Sequence, residues 1–230
     1  MINPNAGMDQ QILFSSEDQS NKTFENFYAA ENINVLSALN SFLSNKSEFG
    51  CFYLFGVSGC GKTHLLKSAI STFHAGSAYL DFNTQADQLR EFSNDNAIRL
   101  IAVDNLENTS DHNDDLMLVY ETLRQRSAKL IVASKFAPKA LSLFLRDLVS
   151  RFISGQVFEL KMLDDKQKVK ALELRARLRG FEMSDEVMRY VINRYPRDFN
   201  TLFGLLDKFD NASLKNQRKI TVPFIKNLES

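Results

Sequence analysis

The sequence predicts an α/β fold: a five-stranded parallel sheet covered by helices on both sides, followed by a small all-helical domain. Three observations carry this. Short apolar runs recur along the first two thirds of the chain, segments with helical spacing lie between them, and the runs stop after Leu160. Strands buried on both faces read as continuous apolar runs, and strand–helix alternation is the pattern of parallel βαβ units.

Taken in order, residues 1–22 are rich in Asn, Gln, Ser and Asp around one apolar cluster, Ile12-Leu13-Phe14. Such a segment cannot bury enough surface to fold alone and is expected to be a flexible tail. The α/β domain is expected over 23–162, opening with Thr23-Phe24-Glu25-Asn26-Phe27-Tyr28. Its strands are predicted at Cys51–Phe55, Ala78–Phe82, Leu100–Val103, Leu130–Ala133 and Val157–Leu160. Leu65, Leu66, Ala69, Ile70 and Phe73 share one helix face, and Leu116, Val119, Tyr120 and Leu123 another.

The helical domain is expected over 163–230. Asp164 and Gln167 have capping-box spacing, and the helix they start should end at Gly180. Ser184 caps a second helix carrying Val187, Met188, Val191 and Ile192, which Pro196 stops. A third places Phe199, Leu202, Phe203, Leu206 and Phe209 on one stripe, and Pro223 opens a short last helix.

Composition narrows the function classes. The 28 basic and 28 acidic residues cancel, so the whole-chain basic excess of a protein living on the DNA backbone is missing. Cys51 and Cys60 have no metal-ligand spacing and make a poor disulfide framework. No signal peptide or bilayer-length apolar run is recognisable, so a cytoplasmic protein without a membrane partner is expected. His64, His74 and His112 have neither ligand spacing nor a paired nucleophile.

One motif carries chemistry. Gly56-Val57-Ser58-Gly59-Cys60-Gly61-Lys62-Thr63 satisfies the P-loop pattern between an apolar strand and an amphipathic helix. Glycines let backbone amides converge on phosphate oxygens, the helix N-terminus adds positive potential, Lys62 reaches the terminal phosphates and Thr63 holds Mg²⁺. An acid ending a neighbouring strand should complete the metal site, and Asp104 after Leu100-Ile101-Ala102-Val103 is the candidate. Asn105 follows it, where many hydrolytic relatives carry a second acid; nothing in the spacing of Glu107 recommends it as a substitute.

Other features are less specific. Gln10-Gln11-Ile12-Leu13-Phe14 reads either as a peptide that docks into a partner's groove or as a tail folding back on its own domain. Arg151, just before the last strand, reads as a surface arginine paired with an acid or as a finger reaching a neighbouring subunit's nucleotide. The run Arg175-Ala176-Arg177-Leu178-Arg179 reads as a solvated helix face rather than a nucleic-acid contact.

These residues also resemble a family. Phe24-Glu25-Asn26-Phe27, the P-loop continuing Thr63-His64-Leu65-Leu66, and Ser150-Arg151-Phe152 resemble the AAA+ module of the bacterial replication initiator DnaA. The stretches Val103 to Glu107, Ala171 to Glu182, Thr201-Leu202-Phe203 and Lys219 to Phe224 are closer to the Hda family, short DnaA paralogues that act as its regulatory inactivators. The resemblance implies a five-stranded AAA+ core, a helical lid, and ADP (or ATP) with Mg²⁺ between them. It implies nucleotide contacts from Phe27, His64, Asp104 and the P-loop. It also implies a glutamine-led peptide for the DNA polymerase III sliding clamp, matched by Gln10, Leu13 and Phe14, or by Gln11 and Ile12 in the register one residue on.

On this resemblance the protein, on a clamp loaded on DNA, contacts ATP-bound DnaA and triggers hydrolysis of that ATP, with Arg151 as the arginine finger. Three positions depart from the family pattern. Lys135 occupies the fourth-strand sensor position, and Asn200 stands where a lid arginine is expected, with Arg197 a stand-in one turn earlier. The P-loop, degenerate in some relatives, is intact. The first two imply weak intrinsic ATP turnover, and the third implies tight nucleotide binding. A homo-oligomer is compatible with a finger acting in trans, and so is DnaA itself as the neighbour. The competing expectation is an autonomous ATPase, initiator-like or helicase-loading.

Overall fold

The computed structural model describes residues 22–45, 48–73, 76–84, 88–108, 112–196, 199–216 and 218–229. Gln10, Gln11, Ile12, Leu13, Phe14, His74 and Arg197 lie outside them. The strands are β1 (Gly50–Phe55), β2 (Ser77–Asp81), β3 (Leu100–Asp104), β4 (Lys129–Ser134) and β5 (Gln156–Glu159). They form one parallel sheet in the order β2-β3-β4-β1-β5. The helices around it are α1 (Ile33–Ser44), α2 (Lys62–Phe73), α3 (Leu89–Asn94), α4 (Asn113–Gln125) and α5 (Arg146–Ser154).

Alternation along the strands divides the core in two. Tyr53, Ile101, Val103, Leu130 and Val132 face α4 and α5, whereas Phe52, Leu54, Leu100, Ala102, Ile131 and Ala133 face α1 and α2. Leu65, Leu66 and Ala69 of α2 are fully buried, each leucine contributing about 1.5–3 kcal/mol relative to exposure. Each observed strand lies within a residue or two of its expected limits.

Burial of the fifth strand corrects the expectation. β5 pairs with β1 alone, so Gln156 and Glu159 are exposed and Val157 and Phe158 only half-buried. Phe158 still stacks on Phe52, with ring centroids 5.0 Å apart. Three helices of the core were not read from the sequence: α1, α3 and α5. In α1 the signal was present, since Val35, Leu39, Phe42 and Leu43 follow helical spacing and are buried.

Beyond Leu160 the chain is helical, with α6 (Asp165–Leu178), α7 (Asp185–Arg194), α8 (Phe199–Asn216) and α9 (Val222–Glu229). Asp164 and Gln167 form the capping box in both directions. Gly180 (φ +83°) ends α6 in a Schellman arrangement, Phe181 N–H bonding to Ala176 and Gly180 N–H to Arg177. Ser184 accepts the Val187 amide at the start of α7. Leu172, Val191, Leu202, Leu206, Phe209 and Ile225 meet in a third core of their own. No helix among the described residues is long and apolar enough to cross a membrane.

Candidate functional site

The P-loop joins the C-terminal end of β1 to α2. Two of its glycines are required by close approach: a Cβ on Gly56 (φ +154°) would lie 2.4 Å from the Leu160 carbonyl, and one on Gly61 (φ +108°) 2.9 Å from the Phe27 ring. The Lys62 ammonium is buried and donates to the carbonyls of Gly56 (2.6 Å) and Val57 (3.1 Å). Cys60 is buried beside it, its thiol 3.8 Å from that ammonium. Burial raises the Cys60 thiol, the Lys62 charge opposing it, and burial pushes Cys51 up to about 12, so neither thiol is set up as a nucleophile. Val57 is exposed.

Asp104 closes the far side of the loop. Its Oδ2 accepts from Thr63 Oγ1 (2.6 Å) and Tyr79 Oη (2.9 Å), and its Oδ1 from the Asn105 amide (3.0 Å). Burial raises its pKa, and these hydrogen bonds oppose the rise. A threonine hydroxyl touching a carboxylate is the pair of hard oxygens that Mg²⁺ takes from a protein alongside phosphate and water, so the donor set fits that ion. Asn105 holds a left-handed backbone (φ +57°), and its side-chain amide donates to Asp81 Oδ1 (2.8 Å). Glu107 serves neighbouring backbone: its Oε2 accepts from Ser134 Oγ and the Lys135 amide, both at 3.0 Å, and Lys135 Nζ lies 3.5 Å from Oε1.

The segment before α1 covers the loop. His64 Nε2 bonds to the Thr23 carbonyl (2.9 Å), and the imidazole stands edge-on to Phe27 (5.3 Å). Burial drives the His64 pKa down to about 4, the Thr23 contact opposing and the Arg175 charge adding to the fall. The unfolded chain takes up this proton near pH 6.5, the folded chain only near 4. Stability from neutral His64 is therefore complete above about pH 6.5 and is lost as pH falls toward 4, by up to about 3 kcal/mol. Denaturant melts across that range should show the decline, and His64→Gln should remove it. Asp104, with its raised pKa, gives a slope of opposite sign that both proteins share.

Together these residues line a cleft of about 870 Å³. Ser58 to His64, Phe27, Asp81, Asn105 and Lys135 form its core side, and Lys168, Ala171, Arg175, Phe203, Gly204 and Asp207 its lid side. Its size and its phosphate cradle suit a nucleotide.

The Hda lid domain family matches residues 165–228. An uncharacterised protein of Haemophilus influenzae is 33% identical over 230 residues, spanning 96% of this chain and 99% of its own length. The chain belongs to the Hda-like paralogues of DnaA, in the AAA+ superfamily. The fold agrees: domain III of Thermotoga maritima DnaA superposes with a TM-score of 0.73 at 20% identity, covering 89% of this chain and 93% of that one. AMPPCP-bound DnaA from Aquifex aeolicus gives 0.67 at 21% identity over 84% of this chain, which spans 66% of that protein's length. This Hda-like chain carries an intact P-loop at the mouth of the cleft.

Arg151 lies away from this Hda-like cleft. It sits in the last turn of α5, which leads into the N-terminal end of β5, whereas the P-loop leaves the C-terminal end of β1. Neighbouring parallel strands of four to six residues put roughly 15–20 Å of sheet between those ends. Its guanidinium forms ion pairs with Glu121 and Asp147 (3.8 Å to the latter) and lies 5.2 Å from the centre of the Tyr120 ring. The basic run of α6 also departs from expectation. Arg177 is exposed, but Arg175 is buried on the Phe203 ring and Arg179 is ion-paired with Asp207, so it is not a solvated face. Tyr79, Asp81 and Arg175 also line the cleft, in addition to the residues expected from the sequence. Helical spacing with Lys168 and Ala171 was the signal available for Arg175.

Proposed function

We propose that this protein is a nucleotide-bound adaptor that prevents re-initiation of chromosomal replication by promoting hydrolysis of DnaA-bound ATP. The observation that carries the reading is the separation of two pieces of chemistry. Phosphate-binding groups gather at the C-terminal ends of the strands, while Arg151, about a quarter exposed, sits beside the N-terminal end of β5, which supports a role toward a neighbouring molecule's nucleotide rather than this chain's own. The P-loop, with Thr63 and Asp104 holding Mg²⁺, binds ADP or ATP and sets the arrangement of core and lid. Phe27 and His64 close over it, and Arg197 adds a lid cation. The metal would neutralise phosphate charge.

In this reading the peptide Gln10-Gln11-Ile12-Leu13-Phe14 docks on the β subunit of the polymerase III sliding clamp. DNA is contacted indirectly through that clamp, and the protein is cytoplasmic and nucleoid-associated while tethered. The neutral net charge supports such indirect contact. Purified chain should be retained on immobilised clamp, and Leu13→Ala with Phe14→Ala should release it. Retention of the double variant would remove the peptide from the account.

The autonomous-ATPase reading is favoured by one observation, the complete Lys62–Thr63–Asp104 constellation. Against it, Asn105 is committed to Asp81 and cannot take a proton from water. Steady ATP turnover by the isolated chain, abolished by Lys62→Ala, would select it; negligible turnover selects the adaptor.

A further inference from the structure

Asn32 ends the 3-10 turn Ala30–Asn32 and stands at the N-cap position of α1. An asparagine there ordinarily turns its side chain onto the first amides of its own helix, yet no such bond forms within α1. Asn32 is 2% exposed, and its side chain is committed elsewhere. Its Nδ2 donates to the Lys161 carbonyl (2.9 Å), and its Oδ1 accepts from the Lys161 amide (2.8 Å). Both backbone groups of a residue 129 positions away are thereby held by one side chain. The turn that presents Asn32 carries Ala30 in the left-handed region (φ +45°), a conformation costly for a residue with a Cβ and kept where surrounding contacts impose it. Glu31 adds a solvated pair with the Lys161 ammonium (3.2 Å).

Lys161 lies in the linker between the sheet and the lid. Leu160 before it still bonds to β1, its amide donating to the Phe55 carbonyl (2.7 Å), and α6 begins at Asp165. The linker also rests on the P-loop: the Leu160 carbonyl packs on Gly56, and the Met162 methyl lies 3.5 Å from where a Cβ on Gly59 would be. The segment that ends in Asn32 lines the cleft with Asn26, Phe27 and Tyr28, and its start is tied to α2 through Thr23 and His64. A ligand in the cleft is therefore flanked by a strap fastened at one end to the P-loop helix and at the other to the root of the lid. We propose that Asn32 is the positioning residue that couples occupancy of the cleft to the lid. Its amide clamp on Lys161 fixes the point from which α6 closes, and so slows the escape of a nucleoside diphosphate. This rests on the reading of the cleft as a nucleotide site. Lys161 itself is exposed, so water takes over its backbone bonds when the clamp is removed, and truncation frees the linker more than it unfolds the chain.

The test chases labelled ADP from the full chain with excess unlabelled ADP, beside amide hydrogen exchange with and without ADP. Asn32→Ala should raise the ADP dissociation rate about tenfold and leave the association rate within about twofold of wild type. In the wild type, ADP should slow exchange at the Lys161 amide and along α6; in Asn32→Ala the Lys161 amide should exchange freely whether or not ADP is bound. A dissociation rate within about twofold of wild type, with Lys161 exchanging freely, would overturn the proposal and leave Asn32 a residue of the fold alone. A loss of affinity carried by the association rate would overturn it too, since a distorted empty cleft would then be the cause. If Asn32→Ala melts too early to measure, Asn32→Asp keeps the size and the acceptor of the side chain but loses the donor. It should still speed ADP dissociation by about threefold or more, and an unchanged rate would count against the proposal. Wild-type chain that binds no ADP would instead defeat the reading of the cleft, and the proposal with it.

Discussion

Arg151→Ala is expected to abolish the stimulation of DnaA's ATP hydrolysis while leaving the fold and this chain's own nucleotide affinity intact. A finger arginine supplied in trans is worth about 10³–10⁵ in rate, because it stabilises charge that develops only in the transition state. The structural cost of its removal is small by comparison. The ion pair with Glu121 is partly solvated, both side chains being about a quarter exposed, so it contributes on the order of 1 kcal/mol. Glu121 keeps a second cation, Arg124, at 3.0 Å. A large loss of stimulation with a nearly unchanged melting temperature would thus report function. Arg151→Lys should recover only part of the rate, because an ammonium lacks the planar fork. Thermal melts and single-turnover hydrolysis of DnaA-bound ATP provide both readings.

Lys62→Ala has the second large effect, on nucleotide binding. The ammonium, held by the Gly56 and Val57 carbonyls, sits within the loop that would cradle the phosphates. Losing its charge-assisted bonds to phosphate should cost about 3 kcal/mol or more, roughly a hundredfold or more in Kd. Nucleotide at a hundred times Kd stabilises a fold by about 2.7 kcal/mol, which for a chain of this size raises the melting temperature by roughly 5–10 °C. Wild-type protein should show that shift with ADP, and Lys62→Ala at the same concentration should show almost none. A variant that retains the full shift would remove Lys62 from the site.

Much of this could be read from residue order alone, for identifiable reasons. β1, β3 and β4 are apolar at nearly every position because both faces are covered, and the P-loop is a contiguous motif whose Gly56 and Gly61 both hold positive φ. The lid caps at Asp164, Gly180 and Ser184 are equally local. What could not be read depends on contacts distant in sequence. β5 reads like its neighbours but lies at the sheet edge. Tyr79 is an ordinary strand tyrosine until the fold brings its hydroxyl to Asp104, 25 positions away. Arg175 belongs to a basic run that looks solvated, and only the packing of α6 against α8 turns it onto Phe203 and into the cleft. Glu107 had no distinguishing spacing because its partners, Ser134 and Lys135, come from the next strand over.

The account's central claim is that the nucleotide in this chain is held while hydrolysis takes place in another molecule. Its most direct test uses radiolabelled ATP pre-bound to DnaA, incubated with clamp-loaded DNA and with this chain present or absent. The account predicts that the label on DnaA is converted to ADP far faster when the chain is added. It predicts further that the acceleration disappears with Arg151→Ala. DnaA-bound ATP hydrolysed at the same rate with and without the chain, or just as fast with the Arg151 variant as with wild type, would contradict it.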